Sequence, residues 1–405
     1  MTRRVGAFSR VPALACLFLL TFGADDTTTE AELPKRSARI VDYSIDARLV
    51  PETQSVEGRQ TLTWRNTSSA AVDRLWFHLY LNAFKDEKST FMRESSGSHR
   101  RQHADKEHPG SIEIGSMKIS GSEQELWTDD TRSWEAPDDG NEHDRTVAAV
   151  QLPKAVGPGD SITLEIAFTS KLPRVFARTG WAGDPGAPET LFFMVAQWFP
   201  KIGVLEELEP GKPAFNCHQF HRSTEFYADY GTYEVRIDVP KDFVVGATGR
   251  RVSAEPGADG RMVYTHVQED VHDFAWCAAP DFVEKNYTFD FDTFCKEAPG
   301  SMGERLRNTL AEAATHRGVD AASIKPTPVK IRFLLQPDHE DDVLWERYKW
   351  STGAAIACYG VWFGHYPYDV LTVVDPPDGG RGAGGMEYPT LFTGGQRRLA
   401  PSYFM

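Results

Sequence analysis

The chain has 405 residues, more than one hydrophobic core supports, so two or three domains are expected. It is 40% apolar and 25% charged, the balance of a packed globular protein rather than a disordered one. Acids outnumber bases by 58 to 44, and no basic stripe tracks a phosphate backbone, which argues against nucleic acid as a partner.

Arg3, Arg4 and Arg10 flank and precede an apolar run at residues 11–22, and the small residues Gly23 and Ala24 follow. This pattern predicts a signal peptide over residues 1–24 and a secreted or periplasmic product. The run is too short to cross a bilayer, so no membrane span is expected after cleavage. Cys16 lies inside the run rather than after it, against a lipoprotein box. A polar linker, residues 25–39, comes next. The later cysteines, Cys217, Cys277, Cys295 and Cys358, form no C-x-x-C pair, which excludes a zinc ribbon. Four isolated thiols and one disulfide both remain open.

Period-two alternation then marks strands at Tyr43, Ile45, Ala47 and Leu49, and at Leu75, Phe77, Leu79 and Leu81. It recurs at Ile162, Leu164, Ile166 and Phe168, and at Tyr233, Val235, Ile237 and Val239. One face of each strand is buried and one is wet, as in antiparallel sheets. A β domain over residues 40–284 follows from this. Residues 85–144 are polar and read as a surface excursion anchored by Ile112, Ile114 and Met117. From residue 285 the period changes. Met302, Leu306, Leu310 and Ala314 predict a helix, Val329 to Leu335 a strand, and Leu344, Tyr348, Ile356, Tyr359 and Trp362 a longer helix with an acidic start. Val370 to Val374 is a further strand, so residues 285–405 are α/β in character.

Several short motifs are false leads. The run from Gly380 to Gly385 satisfies G-x-G-x-x-G, but Pro376, Pro377 and Pro389 oppose the helix that a dinucleotide site requires. His99 and His103 have Arg100 where H-E-x-x-H has Glu. His339-Glu340 lacks the second histidine, because Val343 stands there. Cys217, His218 and His221 lack a fourth ligand. No metal is expected to be held by the residues of this chain.

One segment is different. Tyr359-Gly360-Val361-Trp362-Phe363-Gly364-His365-Tyr366-Pro367-Tyr368 precedes a strand, and Gly384-Gly385-Met386-Glu387-Tyr388-Pro389 follows it. This order resembles the aminopeptidase N family of zinc metallopeptidases, the gluzincin aminopeptidases. There an F-G-x-Y-P-Y segment precedes a G-x-M-E-N motif. Gly58-Arg59-Gln60 with Trp64-Arg65-Asn66, Glu225-Phe226-Tyr227 with Tyr230-Gly231 and Tyr233, and Val271-His272-Asp273-Phe274-Ala275-Trp276 are similar to the family's N-terminal domain. The resemblance implies a saddle-like domain of antiparallel sheets or a sandwich, followed by the start of an α/β thermolysin-like catalytic domain. It implies an enzyme that removes N-terminal residues from peptides, with zinc in the complete protein. Glu387 would recognise the substrate α-amine, with Gly384, Gly385, Met386 and Tyr388 around it.

Two departures stand out. Tyr388 replaces the motif's Asn. Ala196-Gln197-Trp198-Phe199-Pro200 stands where an S-E-P-x-x-A-R segment is usual, and Gln197 is carried over as a substrate contact. The family's H-E-x-x-H and transition-state tyrosine do not occur before Met405, so the chain reads as the first part of such an enzyme, without its zinc ligands. The competing reading is a secreted β-domain protein that binds peptides or partners without catalysis. The oligomeric state has no signal in the sequence.

Overall fold

The computed structural model describes residues 35–339 and 341–394. The expected signal segment, residues 1–24, and the first part of the linker lie outside the described residues.

Alternating hydrophobicity becomes sheet. In Val41–Val50 every second side chain is buried and its neighbours are exposed, which places one face on the core and one in water. This strand is central in a seven-stranded sheet. In order across the sheet, the strands are Arg250–Pro256, Arg261–Val271, Gly231–Pro240, Val41–Val50, Ser55–Arg65, Ser161–Lys171 and Ser111–Ile119. All its pairs are antiparallel except one: Val41–Val50 runs parallel to Gly231–Pro240, in register from Val41 with Gly231 to Arg48 with Asp238. Two four-stranded sheets accompany it. One contains Gly180–Asp184, Ala187–Val195, Trp276–Ala279 and Val244–Ala247. The other contains Lys201–Ile202, Val72–His78, Val147–Val156 and Arg132–Trp134. Trp64, Trp198 and Trp276 are fully buried in the core they share. Such side chains contribute about 1.5–3 kcal/mol each on burial. The protein is thus mostly β with several antiparallel sheets, as expected.

Two details differ from the alternation. Leu79 and Leu81 leave the strand, which ends at His78. The chain turns into a short 3-10 helix, Tyr80–Phe84, whose five side chains are all buried. The polar stretch at residues 85–144 is also more than surface. Its helix Thr90–Ser95 buries Phe91 and Met92.

The later sheet is mixed, in the order Val283–Phe289, Val329–Leu335, Val370–Val374, Leu391–Thr393, Met386–Tyr388. Its three inner strands are parallel. Helices Met302–Arg317 and Asp342–Phe363 cover it, burying Leu306, Leu310, Ile356 and Val361 against Phe333 and Val373. The acidic start of the second helix acts as a cap: the Asp341 carboxylate accepts from the Leu344 amide at 2.6 Å. A third apolar cluster, with Met194, Ala275, Cys277, Leu334, Val374, Tyr388 and Leu391, joins this sheet to the β region. Cys217, Cys277, Cys295 and Cys358 are free thiols. Among the described residues no helix is long and apolar enough to cross a membrane.

Candidate functional site

The strand Val370–Val374 leads into a 3-10 turn, Asp378–Ala383, then into Gly384 and Gly385. An extended segment, not a helix, follows the glycines. Gly385 has φ +71°, a conformation that side chains strain. A Cβ on Gly384 would stand 2.8 Å from the Gly394 carbonyl oxygen. Both positions therefore need glycine. Met386–Tyr388 then pairs antiparallel with Leu391–Thr393 through a tight turn, Glu387 opposite Phe392. The Gly385 amide donates to the Thr393 carbonyl at 2.9 Å, and the Met386 amide to Thr393 Oγ1 at 3.1 Å.

Met386–Tyr388 is the last strand of its sheet, so its other edge carries no partner strand among the described residues. Period two sends neighbouring side chains to opposite faces. Tyr388 is buried in the joining cluster, where its hydroxyl donates to the Arg178 carbonyl at 3.0 Å. Burial, then the nearby Asp273, holds that phenol protonated far above its ordinary range. Glu387 points the other way and is exposed. The site has a rigid buried side and an open side that presents a carboxylate next to a free strand edge. The far turn is tied to the β region as well: the Gly249 amide donates to Thr390 Oγ1 at 2.6 Å, and Thr248 Oγ1 to the Pro389 carbonyl at 3.0 Å.

Gly384, Gly385, Met386, Glu387 and Tyr388 are thus one contiguous unit. Gln197 is placed differently. Its φ is +55° and its side chain is buried. Its amide donates to Asp273 and accepts from Lys201 Nζ at 3.1 Å, while Lys201 pairs with Asp273 at 2.7 Å. Burial lowers the Lys201 pKa, and Asp273 opposes that shift. Both ends of the Gln197 amide are occupied inside the protein.

The histidine clusters resolve into internal contacts. His339 Nδ1 meets Asp375 at 2.7 Å, and the Tyr348 hydroxyl donates to the other oxygen of that buried carboxylate at 3.0 Å. His221 bridges Glu94 at 2.8 Å and Asp138 at 3.0 Å, and His218 also meets Asp138. Burial works against charging His221, but its two carboxylates outweigh burial and raise its pKa. Cys217 is buried and protonated, its thiol pushed up by burial. Among the described residues no three His, Cys, Asp or Glu side chains converge to hold a metal ion.

No family model and no curated protein matches the chain. Solved structures do. The chain is similar to an M1 zinc metallopeptidase from Deinococcus radiodurans, with 14% identity over 84% of this chain and 57% of that one, at a TM-score of 0.45. It is similar to a mutant of that enzyme bound to a Tyr-Ser-Ala substrate, with 13% identity over 85% and 58% of the two chains, at a TM-score of 0.44. The chain spans under three fifths of the length of these structures.

Residues that no sequence motif singles out clasp the glycine-rich turn from the β region. The Arg178 amide donates to the Gly382 carbonyl at 3.1 Å, and its guanidinium meets the Met386 sulfur. The Gln102 side chain lies so close to Gly382 that a Cβ there would stand 2.3 Å from its Oε1. Arg178 carries no local signal for this contact, since Met386 lies 208 residues further along the chain.

Proposed function

We propose that this chain is the substrate-amine-recognising part of a zinc-dependent aminopeptidase, with Glu387 as the group that receives the free amine of a peptide. The observation that carries this reading is the exposed Glu387 carboxylate on an unpaired strand edge, fixed from behind by Tyr388. It is joined by the motif resemblance around Gly384 to Pro389. A peptide N-terminus has a pKa of about 8 and is a cation near neutral pH. A carboxylate at the end of a strand edge pairs with that cation, while the edge itself can hydrogen-bond the peptide backbone. The two together measure from the amino end, which is what an exopeptidase must do. Gly385, with nothing within 4 Å of where a Cβ would stand, leaves room for a backbone to approach.

The zinc centre belongs to the proposed complete enzyme, and in this reading Glu387 is not one of its ligands. Glu387→Ala in a zinc-bearing form of the protein should therefore lower kcat/KM for a free-amine aminoacyl chromogenic substrate by at least about 10²-fold, roughly 2.7 kcal/mol. Its metal content should not change. Activity within a few-fold of wild type would remove Glu387 from the site, and loss of metal would assign it a different role.

A further inference from the structure

Arg178, whose guanidinium lies on Met386 next to Glu387, makes no ion pair with any described residue, nor do Arg100, Arg101 and Arg222. All four belong to a chain with an excess of 14 negative charges. Some guanidinium groups elsewhere find carboxylates, as Arg39 with Asp270, Arg261 with Asp238 and Arg332 with Glu284; what sets Arg178 apart is its half-buried guanidinium against Met386, the residue before Glu387.

Their placement is built. Arg100 and Arg101 form the turn between strands Ser98–His99 and Gln102–His103, both with positive φ, 49° and 68°. Side chains tolerate that conformation only when the surroundings hold it. The hairpin is held on one side by His99, packed 6.4 Å from Phe176 and 5.7 Å from Phe91, and on the other by Gln102 against Gly382. Ala177 and Arg178 also have positive φ, 46° and 74°. The Arg178 backbone bonds both Gly382 and Tyr388, and among the described residues its half-buried guanidinium has only the thioether of Met386 as a partner. A thioether is a weak acceptor and leaves most of the five N–H donors of a guanidinium without a match. Arg222 arrives on a third loop, its amide held by Glu94 at 2.9 Å. Burial, then the neighbouring Arg100, lowers the Arg178 pKa, and Tyr388, Glu387 and Glu225 oppose this. Burial lowers the pKa of His99 too, followed by the fields of Arg100, Arg178 and Arg222.

We infer that Arg178, with Arg100 beside it, receives a carboxylate of the peptide whose amine Glu387 holds, so that the site selects peptides carrying a negative charge close to their amino end. This rests on the amine reading of Glu387. A planar guanidinium can bind a carboxylate through two parallel hydrogen bonds, and partial burial strengthens the pair. Such a carboxylate can belong to an acidic first side chain or to the C-terminus of a very short peptide.

Titration calorimetry on the 405-residue chain separates these with four probes: Asp-Ala-Ala-amide, Ala-Ala-Ala, Ala-Ala-Ala-amide and N-acetyl-Asp-Ala-Ala-amide. One or both of the free-amine carboxylate probes should bind at least about tenfold tighter than Ala-Ala-Ala-amide, and the difference should shrink with salt. Which of the two gains identifies the source of the charge. In Arg178→Gln that preference should fall to within about twofold. Arg100→Ser, on an exposed turn, should weaken it in the same direction and guards against a folding defect. Glu387→Gln should instead erase the preference for a free amine over the acetylated probe. Equal binding of charged and amidated probes by wild type, or a preference that survives Arg178→Gln, overturns the inference. If Glu387→Gln still behaves as expected in that case, the amine reading stands. No binding of any probe rejects both.

Discussion

His78 and His266 hold their imidazoles neutral inside the protein. The His78 ring stacks on Tyr80 at 4.5 Å, and no ring nitrogen of either histidine has a hydrogen-bond partner among the described residues. Both are lowered to about 3, first by burial and then by nearby positive charge, Lys201 for His78 and Arg332 with Arg251 for His266. The folded pKa lies below the unfolded value of about 6.5. Below that pH the unfolded chain binds protons that the folded chain refuses, so stability falls as pH drops towards 3. Each histidine contributes up to about 1.4 kcal/mol per pH unit. His78→Phe keeps the ring and removes one titration. Between about pH 6 and pH 4.5 it should lose about 2 kcal/mol less stability than wild type in urea unfolding. Equal losses would show that His78 is protonated in the fold. At this scale the sequence was a partial guide. It marked Glu387, Tyr388 and the glycines as a unit because they are adjacent. Arg178 was hidden because its partners Met386 and Tyr388 lie 208 and 210 residues away.

Elements were legible where one face is wet. Val41–Val50, Ser161–Lys171 and Gly231–Pro240 follow the alternation that marks them, and Met302–Arg317 and Asp342–Phe363 follow their helical period. Legibility failed where burial is total, as at Tyr80–Phe84, and where pairing is non-local, as in the parallel register of Val41–Val50. Helix propensity is overridden in one place. Gly353 lies inside Asp342–Phe363, where Ala would ordinarily be favoured by about 1 kcal/mol. A Cβ there would stand 2.2 Å from Cε2 of the buried Phe294 ring. Gly353→Ala should therefore destabilise the protein by about 1–3 kcal/mol, as overpacked cores do. A variant as stable as wild type or more so in thermal unfolding would mean that the helix does not press on Phe294 in solution.

At the scale of the whole molecule, the change from alternating to helical period, read at residue 285, falls inside the strand Val283–Phe289, which already belongs to the mixed sheet. What it could not reveal is how the two regions meet. Tyr388 and Leu391 sit in the same apolar cluster as Met194, Ala275 and Cys277, so the candidate strand is braced by the β region rather than by its own sheet alone. Thr248, Gly249 and Arg178 extend that bracing with hydrogen bonds. On this arrangement the braced edge presents Glu387 to a peptide amine. The most direct test is the affinity of the 405-residue chain for one peptide with a free and with an acetylated N-terminus, as wild type and as Glu387→Gln, at about pH 7. Wild type should prefer the free amine at least about tenfold and the variant not at all, since a charge-assisted bond is lost. Equal affinity of wild type for the two peptides, or an unchanged preference in Glu387→Gln, would contradict it.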